Sequence, residues 1–410
     1  MLYFKNSELT TTYHVALNTV LNWIKAAQSD KLDLELVTAN GRAYIANSAR
    51  NISALNKLAA ERKKYRNART TRTVSPSPQF YEVFRPDEIQ DIISGLDVRR
   101  EIPRAYNYFG DGAHYWDEYS SHLSENDSPN IVNRTQLLLR TNFEYLETLL
   151  AGYRRVNVVD IGLGNALPVR ELLQHLLDRG TLGRYIGLDI SPEMLEIAGA
   201  NIRNWFGGRV PFEGHKLDIT HERFGRLLAD EYLRPEPDST VNLVLFLGGT
   251  LGNLRSPDDA LAVIANSMGK RDILMLTCKL DSTHTRHHFD FSTSPSNATL
   301  APIHRFVFDL LNIDDSFYSV EVGFNAEKHA RYTRVHLKLS LRVEFRLDGG
   351  VRTVRFEKGD SILVWYFWQQ TLVEASGQLL RNNFYPLHLS QTPDKEYLLA
   401  ITQLEAPNLL

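Results

Sequence analysis

The sequence predicts an α/β fold: a doubly wound nucleotide-binding core, a small α+β addition beside it, and a separate N-terminal module. Three observations carry this. The run Val158-Val159-Asp160-Ile161-Gly162-Leu163-Gly164-Asn165 leads a buried strand into a glycine turn, and glycines there let the backbone pass close to a ligand. Asp189, twenty-five residues past Gly164, ends a second apolar strand in Gly187-Leu188-Asp189-Ile190-Ser191. Residues 1–73 hold 12 Lys/Arg against 5 Asp/Glu, a net of +7, in a chain of net charge −3, so the remainder carries −10.

From the N-terminus, residues 8–15 read as a short helix and 18–25 as a second, with Val20, Trp23 and Ile24 spaced for one buried face. An Asn40-Gly41 turn between apolar runs predicts a hairpin over 36–45. Helix, helix and hairpin together look like a winged helix-turn-helix, assigned to residues 1–69. Bound to DNA, the second helix would offer Asn18, Thr19, Asn22 and Lys25 to the major groove. The basic run of Arg62, Lys63, Lys64 and Arg66, extended by Arg69 and Arg72, would contact phosphate. Winged folds also hold peptides or protein domains, and both partners stay open. Residues 70–79, rich in Ser, Thr and Pro, read as a linker. The second domain is 80–410, with its nucleotide core at about 150–280 and substrate-side additions at 80–149 and 281–405. A helical lead-in is expected at 86–93 and strands at 317–322, 335–345 and 362–367.

The glycine turn selects among adenosine cofactors by what it lacks. The third glycine of the dinucleotide fingerprint is missing, since Asn165-Ala166-Leu167-Pro168 follows Gly164, and no Gly-Lys-Ser/Thr phosphate loop occurs. A pyrophosphate has no cradle, whereas S-adenosylmethionine (SAM) brings ribose and adenine without phosphate. Asp189 is placed for the ribose hydroxyls and Asp218 for the adenine amino group, giving a Rossmann-like SAM-binding core with the helix opening at Arg170. Capping of loops is the other role open to Asp160 and Asp189.

The segment Asn242-Leu243-Val244-Leu245-Phe246-Leu247-Gly248-Gly249-Thr250-Leu251-Gly252-Asn253-Leu254 resembles the SAM-dependent histidine Nα-methyltransferases of ergothioneine biosynthesis and the related fungal N-methyltransferases of ergot alkaloid assembly. The resemblance covers about residues 102–405 and includes the glycine turn and Leu188-Asp189-Ile190-Ser191-Pro192. It implies that Gly162, Asp189 and Asp218 contact SAM, that Gly248 and Thr250 border the sulfonium, and that Asn253 binds the amino-acid portion of the acceptor; Asp160 and Gly164 complete the cofactor set. Tyr106-Asn107-Tyr108-Phe109 and Tyr115-Trp116 resemble the family's aromatic lid.

Departures from the family bear on the acceptor. The family's Tyr-Tyr-Pro-Thr-Arg stretch is replaced by Pro129-Asn130-Ile131-Val132-Asn133-Arg134-Thr135, leaving Tyr108 or Tyr115 as substitutes for its tyrosine. Phe289-Asp290 stands where the family has a tyrosine and a polar neighbour. Trp365 and Phe367 stand where the histidine enzyme presents a glutamate and a serine to the imidazole. Histidine is therefore not the expected acceptor. Alternation puts Leu363, Trp365 and Phe367 on one strand face, as an aromatic wall for an apolar or cationic group or as sheet core.

The chemistry asks for alignment more than for machinery. Methyl transfer is an in-line displacement at an activated sulfonium, so the protein must position a neutral nitrogen, and an asparagine carbonyl suits that task. The lone Cys278 excludes an internal disulfide, and no His-Glu-X-X-His pattern occurs. No metal is expected, and His284, His287 and His288 read as a polar helix beside the acceptor cleft. With no 18-residue apolar stretch and no leader at Met1, a soluble cytoplasmic protein without a membrane partner is expected. The function expected is N-methylation of an amino acid, a derivative or a peptide. The alternative is a ligand-sensing DNA-binding regulator on a degenerate methyltransferase fold. Base methylation is disfavoured because Leu247-Gly248-Gly249-Thr250 lacks the Asn/Asp-Pro-Pro-aromatic clamp for a flipped base.

Overall fold

A computed structural model describes residues 3–39, 41–126, 129–229, 239–282 and 299–404, with the backbone alone over 62–70. Two compact units divide the chain: Met1–Thr73 with Leu339–Arg342 and Phe356–Lys358, and the remainder.

In the first unit, α1 (Asn6–Thr12) and α2 (Leu17–Gln28) precede the antiparallel pair β1 (Leu36–Ala39) and β2 (Arg42–Ile45), followed by the long helix α3 (Ala49–Thr70). Ala39 pairs with Arg42, and Gly41 takes a φ of +71°. Val20, Trp23 and Ile24 are buried with Leu9, Leu34, Ile45 and Leu55. Thr19 corrects the sequence reading. It lies one helical turn before Trp23, on the same face, and is 1% exposed, so it cannot reach a groove. Asn18, Asn22 and Lys25 are exposed. Arg62, Lys63 and Lys64 lie on α3, whose side chains there are outside the described set. Residues 70–79 hold the end of α3, a short strand β3 (Arg72–Val74) and the start of α4 (Pro78–Val83).

The second unit opens with α4 and α5 (Pro86–Ser94), then α6 (Asp111–Glu125), α7 (Ile131–Thr141) and α8 (Phe143–Leu150). Its central sheet uses β4 (Arg155–Ile161), β5 (Leu182–Asp189), β6 (Phe212–Lys216), β7 (Thr240–Phe246), β8 (Ile273–Lys279), β14 (Tyr385–Gln391) and β15 (Tyr397–Gln403), in the order β14-β15-β8-β7-β4-β5-β6. The five strands from β6 to β8 are parallel, while β15 is antiparallel to both β8 and β14. Separate apolar cores cover the two faces. That is why β4 is buried from Val156 to Ile161 and is mostly apolar, with Asn157 and Asp160 buried among its valines. After β4 the chain builds outward through β5 and β6, then returns to lay β7 against the other side of β4. A crevice opens at such a reversal, beyond the carboxyl ends of the strands. Helices α9 (Arg170–Asp178) and α10 (Pro192–Phe206) follow β4 and β5.

Beside this core stands a three-stranded antiparallel sheet of β9 (Tyr318–Asn325), β10 (Ala330–Leu337) and β13 (Ser361–Trp368), in the order β13-β10-β9. Residues 335–345, read as one strand, belong to two, because β10 ends at Leu337 and β11 (Leu341–Leu347) begins anew; β12 (Gly350–Phe356) follows. The alternation of Val335, Leu337, Leu339, Leu341 and Val343 hides the break, which shows only where Leu339 loses burial and Ser340 gains it. Among the described residues no helix is long and apolar enough to cross a membrane, and no group of His, Cys, Asp or Glu is arranged to hold a metal ion. His284, His287 and His288 lie outside the described residues.

Candidate active site

A cavity of about 440 Å³ sits at the reversal point, within the size range of small-molecule sites. Gly162 and Gly164 line it from the end of β4, Asp189 and Ile190 from the end of β5, and Asp218 and Thr220 from the loop after β6. Thr250 and Asn253 line it from the short helix α11 (Thr250–Asn253) after β7. Arg104, Tyr108, Trp116 and Tyr366 close the remaining wall.

The turn after β4 is shaped by backbone conformation. Gly162, Gly164 and Ala166 have φ of +62°, +56° and +62°, a region costly for residues with a side chain. A Cβ on Gly162 would stand 2.7 Å from Thr250 Cγ2, and one on Gly164 would stand 3.2 Å from Trp116 Nε1. The glycines thus keep the strand end open where α11 and the Trp116 indole approach.

The acids occupy different layers. Asp189 is half-buried on the cavity wall; its Oδ1 accepts from Ser191 N at 3.0 Å. Burial lifts its pKa to about 6, against the opposing pull of backbone N–H groups of Ser191, Gly164 and Ile190. Asp160 corrects the sequence reading, because it lies beneath the turn and not on the cavity wall. It is 2% exposed, its Oδ2 accepts from Tyr185 Oη at 2.8 Å, and burial raises its pKa to about 7. Asp218 Oδ1 accepts from both Thr220 N and Thr220 Oγ1, which fixes the carboxylate at the cavity's edge.

On the opposite side, Gly248 (φ +69°) donates its N–H to Thr277 Oγ1 at 2.7 Å and does not line the cavity. Asn253 does, and its Oδ1 is buried without a hydrogen-bond partner among the described residues. A buried acceptor left unpaired is costly, so one in a ligand cavity marks where a donor belongs.

The aromatic residues divide. Tyr108 and Trp116 line the cavity and pack edge to face at 5.7 Å. Tyr115 is 40% exposed, lies edge-on to Phe306 and is not on the wall, because α6 turns it one residue away from Trp116. Phe367 is packed under α11, where a Cβ on Gly252 would meet its ring at 2.8 Å. Trp365 stacks on Phe367 at 6.1 Å and carries the Arg104 guanidinium over its ring at 5.4 Å. Neither is a cavity wall, and Tyr366 between them is. The register slips where Thr333 pairs with Trp365 and Arg334 with Leu363, skipping Val364, so the strict alternation assumed for Leu363, Trp365 and Phe367 is interrupted. Phe289 lies outside the described residues.

Sequence reasoning missed Arg104 and Tyr366, together with the ionic cluster at the cavity mouth. There Glu101 accepts from Arg255 Nη1 at 2.6 Å and pairs with Arg99, which also holds Asp91. No local motif separates Arg104 from Arg99 and Arg100; only the aromatic run two residues later marks the neighbourhood.

The family model described as "Histidine-specific methyltransferase, SAM-dependent" matches residues 88–403. The chain belongs to this family of SAM-dependent methyltransferases. It is 31% identical over 143 residues to the histidine N-α-methyltransferase of Mycolicibacterium smegmatis, covering 33% of this chain and 41% of that protein. It is 26% identical over 221 residues to the histidine N-α-methyltransferase of Mycobacterium tuberculosis, covering 51% and 63%. Both matches span less than two thirds of the relatives' length. A solved S-adenosylmethionine-dependent methyltransferase from Clostridium acetobutylicum aligns at TM-score 0.38 and 11% identity, over 72% of this chain and 98% of that one. The expectation of an acceptor other than histidine gains no support here, since both relatives carry histidine in their names.

SAM is the cofactor of this family, and the residues present fit it. The cavity joins positive-φ glycines, a half-buried carboxylate ending β5 and a second carboxylate after β6.

Proposed function

We propose that this protein is an N-methyltransferase that transfers a methyl group from SAM to the amino group of an amino acid, an amino-acid derivative or a peptide. The observation that carries the reading is Asn253 Oδ1, buried and unpartnered in the cavity that Gly162, Gly164 and Asp189 also line. In this reading Asp189 accepts from the ribose hydroxyls, Asp218 from the adenine amino group, and the glycine turn admits the cofactor. SAM supplies a methyl group already activated on sulfur. The chain's own work is alignment: Asn253 Oδ1 accepts an N–H of the acceptor amine and holds its lone pair in line, which removes the orientational part of the barrier. Thr250 and Gly162 set the width of the channel between the two ligands. Trp116 and Tyr108 form an aromatic side of the acceptor space.

Asp160 acts one layer down in this account, holding the turn through Tyr185, and Gly248 positions α11 through Thr277. A mass-spectrometric screen of amino acids, including histidine, and of peptides, with SAM supplied, tests the reading. A one-methyl mass gain that disappears in Asn253→Ala supports it, and unchanged turnover in that variant contradicts it.

A second reading concerns residues 1–69, proposed as a winged helix-turn-helix joined through 70–79 to a methyltransferase domain of 80–410. It is supported by exposed Asn18, Asn22 and Lys25 on α2 and by the +7 charge of residues 1–73. Its partner is DNA or a peptide, and DNA binding would weaken steeply with salt as counterions compete.

A further inference from the structure

Three guanidinium groups line the cavity, those of Arg99, Arg104 and Arg255. Two are matched by acids: Arg99 by Asp91 and Glu101, and Arg255 by Glu101. Arg104 has no carboxylate partner among the described residues. Its Nε and Nη2 donate to the same neutral acceptor, Tyr108 Oη, at 3.2 and 2.8 Å, and its Nη1 is buried with no hydrogen-bond partner among the described residues. The side chain is held in place from two sides, with its Cζ 5.4 Å from the Trp365 ring centroid and 5.8 Å from that of Tyr108. Nearby, His304 is held neutral, its pKa pushed down to about 3 by burial and by the charge of Arg104. His304 therefore supplies no compensating negative charge.

Such a guanidinium is fixed, partly buried and left short of an acceptor at Nη1, and its planar fork matches a carboxylate. Trp365, which the sequence offers as an aromatic wall, is instead the platform beneath it. What a ligand meets at this end of the cavity is cation, not indole.

We infer that Arg104 is a carboxylate-binding subsite of the reaction cavity. The inference rests on the methyltransferase reading and adds to it a specificity residue: the cavity selects a bound molecule that bears a carboxylate. Two molecules offer that group, the methionyl end of SAM and an α-amino acid acceptor.

The test is a set of calorimetric titrations on the full chain, wild type, Arg104→Gln and Arg104→Lys. One arm compares SAM with decarboxylated SAM. The other, in protein saturated with S-adenosylhomocysteine, compares L-histidine with histamine and L-tryptophan with tryptamine. In the wild type the carboxylate-bearing member of at least one pair binds about tenfold or more tightly than its partner, as expected for a charge-assisted hydrogen bond. Arg104→Gln erases that preference while leaving the decarboxylated member's Kd unchanged, which also shows that the cavity still folds. Arg104→Lys restores it only in part, because an ammonium lacks the bidentate fork. A response in the SAM pair assigns the subsite to the cofactor, and a response in an amino-acid pair assigns it to the acceptor. The inference is overturned if every carboxylate preference survives Arg104→Gln, if the wild type has none, or if the variant loses the decarboxylated members equally. Failure of the wild type to bind SAM or S-adenosylhomocysteine is a different result and overturns the methyltransferase reading beneath it.

Discussion

Gly162→Ala isolates the close approach between the glycine turn and α11. Two costs are built into it. The residue keeps a φ of +62°, which costs an L-residue about 1–2 kcal/mol. Its new Cβ would lie 2.7 Å from Thr250 Cγ2 and 2.9 Å from Thr250 Oγ1, well inside ordinary contact, and overpacking of this kind costs about 1–3 kcal/mol. Thr250→Ala removes both offending atoms, leaving Thr250 Cβ at a tolerable 3.4 Å. It gives up only a long 3.4 Å hydrogen bond to the Leu247 carbonyl. In the Thr250→Ala background the backbone cost therefore remains and the clash vanishes. A double-mutant cycle by urea denaturation should return a favourable coupling of about 1–3 kcal/mol. Calorimetry on the same proteins should show SAM affinity falling in Gly162→Ala and recovering in the double variant. If Gly162→Ala costs the same in both backgrounds, the proximity of Gly162 to Thr250 is not what shapes the turn.

Four further outcomes follow from the same geometry. Asn253→Ala should lower the methyl-transfer rate about 10-fold or more while SAM affinity stays within about twofold, a split read from kcat and calorimetric Kd. Asp189, with a pKa of about 6, is ionised above that pH and takes up a proton below it. SAM binding should therefore weaken as pH falls through 6, and Asp189→Asn should flatten that dependence in a titration series. Asp160 has a folded pKa of about 7, above the unfolded value, so ionising it opposes folding fully above pH 7 and not at all below about pH 4. Asp160→Asn, which still accepts from Tyr185, should stabilise the ligand-free protein at pH 8 by on the order of 2–4 kcal/mol, with the gain fading toward pH 4 in denaturation curves. A DNA-binding N-terminal unit should lose sequence discrimination in Lys25→Ala, and should lose affinity about uniformly across sequences, with a shallower salt slope, in Lys63→Ala, both measured by anisotropy.

Much of the central sheet was legible because parallel strands covered on both faces leave largely apolar stretches. β4, β5 and β7 are such stretches, interrupted by Asn157, Asp160, Arg184 and Asn242, and they lead into Gly162, Asp189 and Gly248, the residues the motif reading singled out. The cavity positions of Asp189, Asp218, Thr250 and Asn253 follow from their places just past strand ends. Thr19 was decipherable too, since helical spacing sets it one turn before Trp23. What could not be read was the wall built by distant segments. Arg104 acquires its environment from Tyr108, four residues on, and from Trp365 on β13, across most of the domain. The slip at Val364 redirects the β13 side chains, and nothing in the composition of that strand announces it. Asp160 shares its motif with the cavity residues and differs only in facing Tyr185 beneath the sheet edge.

The most direct measurement is a calorimetric SAM titration of wild type and Asp189→Asn, followed in the same samples by mass spectrometry of an amine panel. Stoichiometric binding that weakens in the variant, with a single-methyl gain on an amino nitrogen, is the result this account requires. A protein that neither binds SAM nor distinguishes Asp189 from asparagine would contradict it.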